Sequence, residues 1–273
     1  MLEKVKNAVE QIKKRKPLIL CLTNYVSVDF VANSLLALGA SPIMSCDSGE
    51  IVELVKISSA ININIGTLNQ DFIKMADVAA EASKDYNKPL VLDPVGAGAS
   101  LVRTKNAVKF AKYSDIIRGN ASEIIALFHG IKDNSNQDDQ QNKKILGVDS
   151  VHQVSDATDI AKHLVTSLKC CVAISGKEDF IIDETRSELI VSGEDIMQLI
   201  TGMGCAVTAV IAAFKTVIED RFEATKIAML YFGLCANLAY VKSQKPGIFK
   251  THFIDEIYGG DFEDMRRFYV ERS

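Results

Sequence analysis

The sequence predicts an α/β fold, a three-layer arrangement with a mostly parallel central sheet and helices on both faces. Three observations carry this. Short apolar runs ending in polar residues or glycine alternate with helical patterns along most of the chain, the rhythm of parallel strands joined by crossover helices. The 273 residues are 48% hydrophobic and 24% charged, enough to bury a large core. No repeat or domain-joining linker interrupts the pattern, so residues 1–273 read as a single domain.

The chain opens on a charged, helix-forming stretch, Leu2 to Lys14, instead of the basic-then-apolar pattern of a secretory leader. The cationic run Lys13 to Lys16 reads equally well as the solvated end of that helix. Strands follow at Leu18 to Leu22, running into Thr23 and Asn24, and at Pro42 to Met44, running into Ser45. Ile61 to Ile65 leads into Gly66 and Thr67; its strict Ile/Asn alternation predicts one apolar face and one polar face, the asparagines turned to an interface or to water. Leu90 to Leu92 ends at Asp93, Ile116 and Ile117 lead into Arg118 and Asn120, and Cys171 to Ile174 leads into Ser175 and Gly176. Ligands of open α/β sheets bind beyond the carboxyl ends of the strands, so these trailing residues are the candidate site.

Asp133 to Lys144 is strongly polar and is expected to be an exposed loop. Asp179 to Asp183 predicts a strand returning antiparallel to its predecessor. A long helix is expected after Cys205, where Val207, Val210, Ile211, Phe214 and Val217 repeat with helical spacing. The uncharged stretch Ile227 to Val241, interrupted by Gly233 and Asn237, is short for a bilayer and reads as a buried helix.

A net charge of -4 gives no general attraction to nucleic acid or an anionic membrane. Six scattered cysteines without C-x-x-C spacing point to a reduced, cytoplasmic chain, and four dispersed histidines form no zinc or triad pattern.

The most informative feature is Thr201 to Cys205, TGMGC, just ahead of the long helix. Two glycines at a helix start let backbone N–H groups face an anion, with the dipole in support. Taken alone, the motif is better read as a tight turn that lets helix and strand pack closely. Its companions change the balance. Asp93 opens DPVGAG, where a carboxylate at a strand end suits a hydrated magnesium ion, although a cap explains it too. Asn120 and Glu123 have the spacing of a capping box, and Arg118 beside them suits phosphate. An anion cradle, an arginine, two acids and a nearby Cys205 are what phosphoryl transfer needs. Neither a Walker A motif nor an early G-x-G-x-x-G occurs, which counts against P-loop and dinucleotide-binding readings.

In this order, DPVGAG at Asp93 to Gly98, IIRGNASEI at Ile116 to Ile124, ISGKEDFIID at Ile174 to Asp183 and TGMGC at Thr201 to Cys205 resemble the hydroxyethylthiazole kinase family of the ribokinase-like superfamily. The similarity runs from Cys21 through Tyr258. It implies a ribokinase-like fold and ATP-dependent phosphorylation, with Mg²⁺, of the hydroxyl of 4-methyl-5-(2-hydroxyethyl)thiazole in thiamine biosynthesis or salvage. Arg118, Ser175 and Gly204 are implied on the ATP side, Arg118 at the phosphates. The backbone from Gly202 to Gly204 would hold the transferring group, and Asp93 and Glu123 would arrange the metal and its waters. Gly202 and Met44 are implied at the thiazole, and motif context adds Asn24, Val26, Gly66 and Thr67.

The resemblance also implies a homotrimer with the thiazole pocket at subunit interfaces, so that Met44 would serve a neighbour; its flexible side chain suits a core filler equally well. Most ribokinase-like enzymes place an aspartate base where Cys205 stands. A helix N-terminus lowers a thiol's pKa from about 8.5, which favours a thiolate, while nearby phosphates oppose it, so Cys205 is read as base or bystander. Competing readings are a kinase for a related alcohol such as a hydroxymethylpyrimidine, a non-catalytic nucleotide or thiazole binder, and, more remotely, a dehydrogenase.

Overall fold

A computed structural model describes residues 1–135 and 154–272. Helix α1 (Leu2–Arg15) leads into β1 (Leu18–Leu22), α2 (Val28–Leu38), β2 (Ser41–Ile43), α3 (Ile51–Ile57), β3 (Ala60–Asn64), α4 (Gln70–Asp85) and β4 (Leu90–Asp93). Then come α5 (Leu101–Ala111), β5 (Ile116–Asn120), α6 (Ala121–Ser135), α7 (Val154–Leu168), β6 (Cys171–Ser175), β7 (Asp179–Ile182) and β8 (Ser187–Ile190). A 3₁₀ turn (Asp195–Leu199) precedes α8 (Met203–Lys215), α9 (Arg221–Lys242), α10 (Pro246–Gly259) and α11 (Phe262–Arg272).

The strands form one sheet in the order β2-β1-β3-β4-β5-β6-β7-β8. β1 to β6 pair in parallel, and β7 and β8 turn back antiparallel. The α/β expectation and the antiparallel return are met, while β8, whose Ser187 to Leu189 are exposed, carries too little apolar pattern to be read beforehand.

Side chains alternate between two cores, as the two-residue period of a strand requires. Ile19, Val91, Ile116 and Ala173 face a core shared with α1, α2, α8, α9 and α10, whereas Leu20, Leu92, Ile117 and Ile174 face one shared with α4, α5, α6 and α7. Because both faces are covered, no central strand has a wet side. Asn62 and Asn64 are therefore fully buried, contrary to the expectation that they face an interface or water. Ile61, Ile63 and Ile65 take the second core, leaving the asparagines on the face that α8 covers.

Three boundaries differ from the sequence reading. β2 stops at Ile43, so Met44 follows the strand instead of ending it. β5 continues through Arg118 to Asn120, with no loop before α6. The expected loop at Asp133 begins inside α6, which runs to Ser135, and the rest of that stretch, like His152, lies outside the described residues. Lys13, Lys14 and Arg15 close α1 as expected.

Helix α9 is 22 residues long, longer than its uncharged stretch, and by length and composition alone could cross a membrane. Its apolar segment is 89% buried inside the fold, so it is a core helix here. Phe253 of α10 ties this layer together, its ring 4.7 Å from that of Phe232 on α9 and 6.1 Å from that of Phe30 on α2. Phe253→Ala should lower unfolding stability by about 3–5 kcal/mol, the range for a truncated core phenylalanine. Urea denaturation measures it, and a loss below about 1 kcal/mol would contradict the anchoring role.

Candidate active site

The parallel strands bring their carboxyl ends to one edge of the sheet, where Asn64 is in register with Asp93 and Asn120 with Ser175. Above this edge stands the start of α8. Gly202 caps it with φ +95°, a left-handed backbone that glycine adopts without strain, and a Cβ there would lie 3.0 Å from the Ser27 Cβ. Cys205 therefore sits in the helix's first turn. Its half-buried sulfur lies 3.2 Å from the Asn24 Nδ2.

Arg118 points from β5 toward the same place. Its Nε donates to the Ser175 hydroxyl at 2.8 Å, which aims the guanidinium across the ends of β5 and β6. A Cβ on Gly204 would fall 2.6 Å from the Arg118 Nη1, so only glycine permits the guanidinium to lie this close to the α8 backbone. An arginine fork and free first-turn N–H groups thus converge on one spot, a geometry suited to phosphate.

The acids surround this spot from below. Asp93 is 1% exposed, and its Oδ2 accepts from the Asn64 amide at 2.7 Å and the Thr208 hydroxyl at 3.1 Å. Glu123 accepts the Gly96 N–H on one oxygen and the Asn120 N–H on the other, both at 2.8 Å, and Asn120 returns a bond to the Glu123 N–H at 2.9 Å. This completes the expected capping box and also ties the DPVGAG loop to α6. Burial pushes Asp93 up to about 7, with Arg118 pulling it down and Glu123 pushing it further up. Burial likewise raises Glu123 against its two backbone N–H donors. Two desolvated acids beside one arginine leave negative charge that a cation would offset.

The surroundings of Cys205 act on its thiol in both directions. Burial raises its pKa first and the neighbouring Asp93 raises it again, outweighing hydrogen bonds from Ser27, Asn24 and Asn64. Desolvation and the Asp93 carboxylate thus act together against ionisation of the sulfur.

The remaining candidates lie in three places. Asn24, Gly66 and Thr67 meet at the ends of β1 and β3: the Asn24 Oδ1 accepts the Val26 and Ser27 N–H groups at 3.0 Å, and the Thr67 hydroxyl accepts the Tyr25 N–H at 3.1 Å. Val26, 68% exposed, lies at the mouth of a cavity of about 330 Å³ also lined by Phe30, Leu199, Thr201, Gly247 and Lys250. Met44 stands apart at the end of edge strand β2, with β1 and β3 between it and Asp93.

Sequence reading missed Asn64, Thr208 and Arg103. Arg103 donates to the Ile65, Val95 and Gly66 carbonyls at 2.8–3.1 Å, clamping the loops after β3 and β4 together. The Ile/Asn alternation did mark Asn64, and recognising β3 as central would have turned it inward. Thr208 and Arg103 sit on helices with no motif around them.

The hydroxyethylthiazole kinase family model matches residues 9–261. The chain belongs to that family. It is 44% identical over 271 residues to a hydroxyethylthiazole kinase of Chlamydia felis, covering 98% of this chain and 99% of that one. Among solved structures, a hydroxyethylthiazole kinase protein from Pyrococcus horikoshii OT3 superposes with a TM-score of 0.85 at 30% identity, covering 97% of this chain and 96% of that one. A Bacillus subtilis pyridoxal kinase shares the fold at a TM-score of 0.59 and 15% identity, over 80% of this chain and 91% of that one. The ribokinase-like fold class is thereby established, and membership in a kinase family makes ATP the co-substrate.

The raised thiol pKa has a measurable consequence. With no substrate present, the alkylation rate of Cys205 should reach half its maximum above pH of about 8.5, the ordinary thiol value. Asp93→Asn, by removing a negative neighbour, should move that midpoint down and speed alkylation at pH 8. Peptide mass spectrometry follows the reaction; a wild-type midpoint below the ordinary value would show that the helix start prevails.

Proposed function

We propose that this chain, working as one kinase domain over residues 1–273, transfers the γ-phosphoryl group of ATP to the hydroxyl of 4-methyl-5-(2-hydroxyethyl)thiazole, forming the monophosphate in thiamine biosynthesis or salvage. The observation that carries this reading is the Arg118 guanidinium lying against the Gly204 backbone at the start of α8, which makes a phosphate cradle beside a half-buried thiol. Phosphoryl transfer depends mainly on positioning and charge neutralisation, and this arrangement supplies both.

Arg118 and Ser175 take the ATP side, with Arg118 on the phosphates. The Gly202 to Gly204 backbone receives the transferring group with N–H donors fixed before the reaction. Asn24, Val26, Gly66, Thr67 and Gly202 border the alcohol, an assignment supported by the Asn24 bond to the Val26 N–H, the Thr67 bond to the Tyr25 N–H and the cavity at Val26. Cys205, in the first turn of α8, is the catalytic group nearest the reacting hydroxyl.

Asp93 and Glu123 would hold Mg²⁺. Three of their four oxygens already accept protein hydrogen bonds, and no cluster of three or more His, Cys, Asp or Glu side chains that could cage a metal occurs among the described residues. Such a pair fits an ion that keeps several waters and is shared with phosphates. Its chemistry would be to neutralise charge on the β- and γ-phosphoryl oxygens.

We place Met44 in a neighbouring subunit's thiazole pocket within a homotrimer. Its separation from Asp93 and the exposed Tyr25 and Val26 beside the cavity support an interface there. Six unpaired cysteines suit the reducing cytoplasm.

Incubation with Mg-ATP and the thiazole alcohol should give the monophosphate by mass spectrometry. Turnover of a hydroxymethylpyrimidine instead would move the substrate assignment, and ATP binding with no transfer to any alcohol would sink the enzyme assignment. Arg118→Met should raise KM for ATP at least about tenfold, as expected for a lost charge-assisted pair, with a smaller change for the thiazole. Cys205→Ala should lower kcat more than it raises either KM. Steady-state kinetics with each substrate varied separates these outcomes.

A further inference from the structure

Asn64 is fully buried on a central strand, a position where valine or isoleucine would pack better and pair equally well in the ladder. Its side chain is fully engaged. The Oδ1 accepts from the Asn24 Nδ2 at 2.9 Å and from the Gly66 N–H at 3.0 Å, and the Nδ2 donates to the Asp93 Oδ2 at 2.7 Å. An amide presents donors at one end and an acceptor at the other, so a carboxylate on one side leaves one orientation.

Asn24 is oriented by the same logic. Two backbone N–H groups, those of Val26 and Ser27, occupy its Oδ1, and its Nδ2 is left to donate to both the Asn64 Oδ1 and the Cys205 Sγ. Thr208 closes the run, its hydroxyl lying 3.1 Å from the Asp93 Oδ2 and 3.0 Å from the Gly204 carbonyl. A directional path thus connects Cys205, Asn24, Asn64, Asp93 and Thr208 across three strands and back to α8. Its middle member cannot reach a ligand, because no part of it is exposed.

We propose that Asn64 is a positioning residue for phosphoryl transfer: by linking the Asn24 amide to the Asp93 carboxylate, it holds both beside the start of α8 in one fixed relation to the Cys205 sulfur. This rests on the kinase reading above. Misplacement of reacting groups by about 1 Å can cost on the order of a hundredfold in rate without altering ground-state binding.

The test uses Asn64→Leu, similar in size and without polar atoms, and Asn64→Ser, too short to reach both partners, in the full chain. Either variant that folds should lose about tenfold or more in kcat, with KM for ATP and for the alcohol kept within about threefold. Hydrogen exchange without substrate should quicken at the Gly66, Val26 and Ser27 amides while the rest of β1, β3 and β4 stays protected. A kcat within about twofold of wild type would overturn the proposal. So would exchange rising throughout the three strands with kcat and KM worsening together, the mark of a merely structural residue. If the wild-type protein phosphorylates no thiazole alcohol, it is the functional reading that fails; the exchange measurement still decides the local claim, and unchanged Gly66, Val26 and Ser27 amides would overturn it.

Discussion

Helix α8 begins where it does because Gly202 adopts a backbone with φ +95° while packed against Ser27. That corner sets the helix axis over the carboxyl edge of the sheet and determines what its first turn meets. One residue on from Met203, Gly204 leaves room for Arg118, and Cys205 comes within reach of Asn24. A side chain at Gly202 would be strained by conformation and crowded by Ser27 together. The anion cradle, the thiol's surroundings and the buried polar path beneath all presuppose this entry angle.

The edge beneath α8 is polar where a parallel sheet is usually apolar. Asp93, Asn64 and Glu123 are buried there, and the cost of desolvating them is offset by pairing almost every polar atom with a fixed donor. Arg118 and Arg103 contribute cationic groups on either side, Arg118 aimed at α8 and Arg103 committed to three loop carbonyls. The two guanidiniums therefore do different work: one stays directed toward the site, and the other makes the strand-end loops rigid. The acids keep raised pKa values in spite of them, because burial penalises their charged forms, and a nearby cation would offset that penalty.

Much of this was legible beforehand because it is local. Apolar runs with polar ends marked β1, β3, β4, β5 and β6, and the residues trailing them gather at one edge because parallel strands must end together. The Asn120 and Glu123 capping box needed only its spacing. β8 was invisible because three of its four residues are exposed. Strand order sets β1 and β3 between Met44 and Asp93 of one chain, a separation that local pattern does not encode.

By itself, then, the sequence determined the α/β class, the strand-end residues, the helix after TGMGC and, through four ordered motifs, the kinase family. The class, the strand ends and the helix follow from period, caps and short-range chemistry, which neighbours along the chain decide, whereas the family rests on the resemblance of the motifs. Tertiary structure alone decided that Asn64 turns inward, that Arg103 and Thr208 reach the strand-end loops and Asp93, and that the Cys205 pKa is raised. Each depends on what covers a side chain. Burial beneath α8 gives the asparagine partners instead of water, and desolvation at the same edge raises the thiol's pKa.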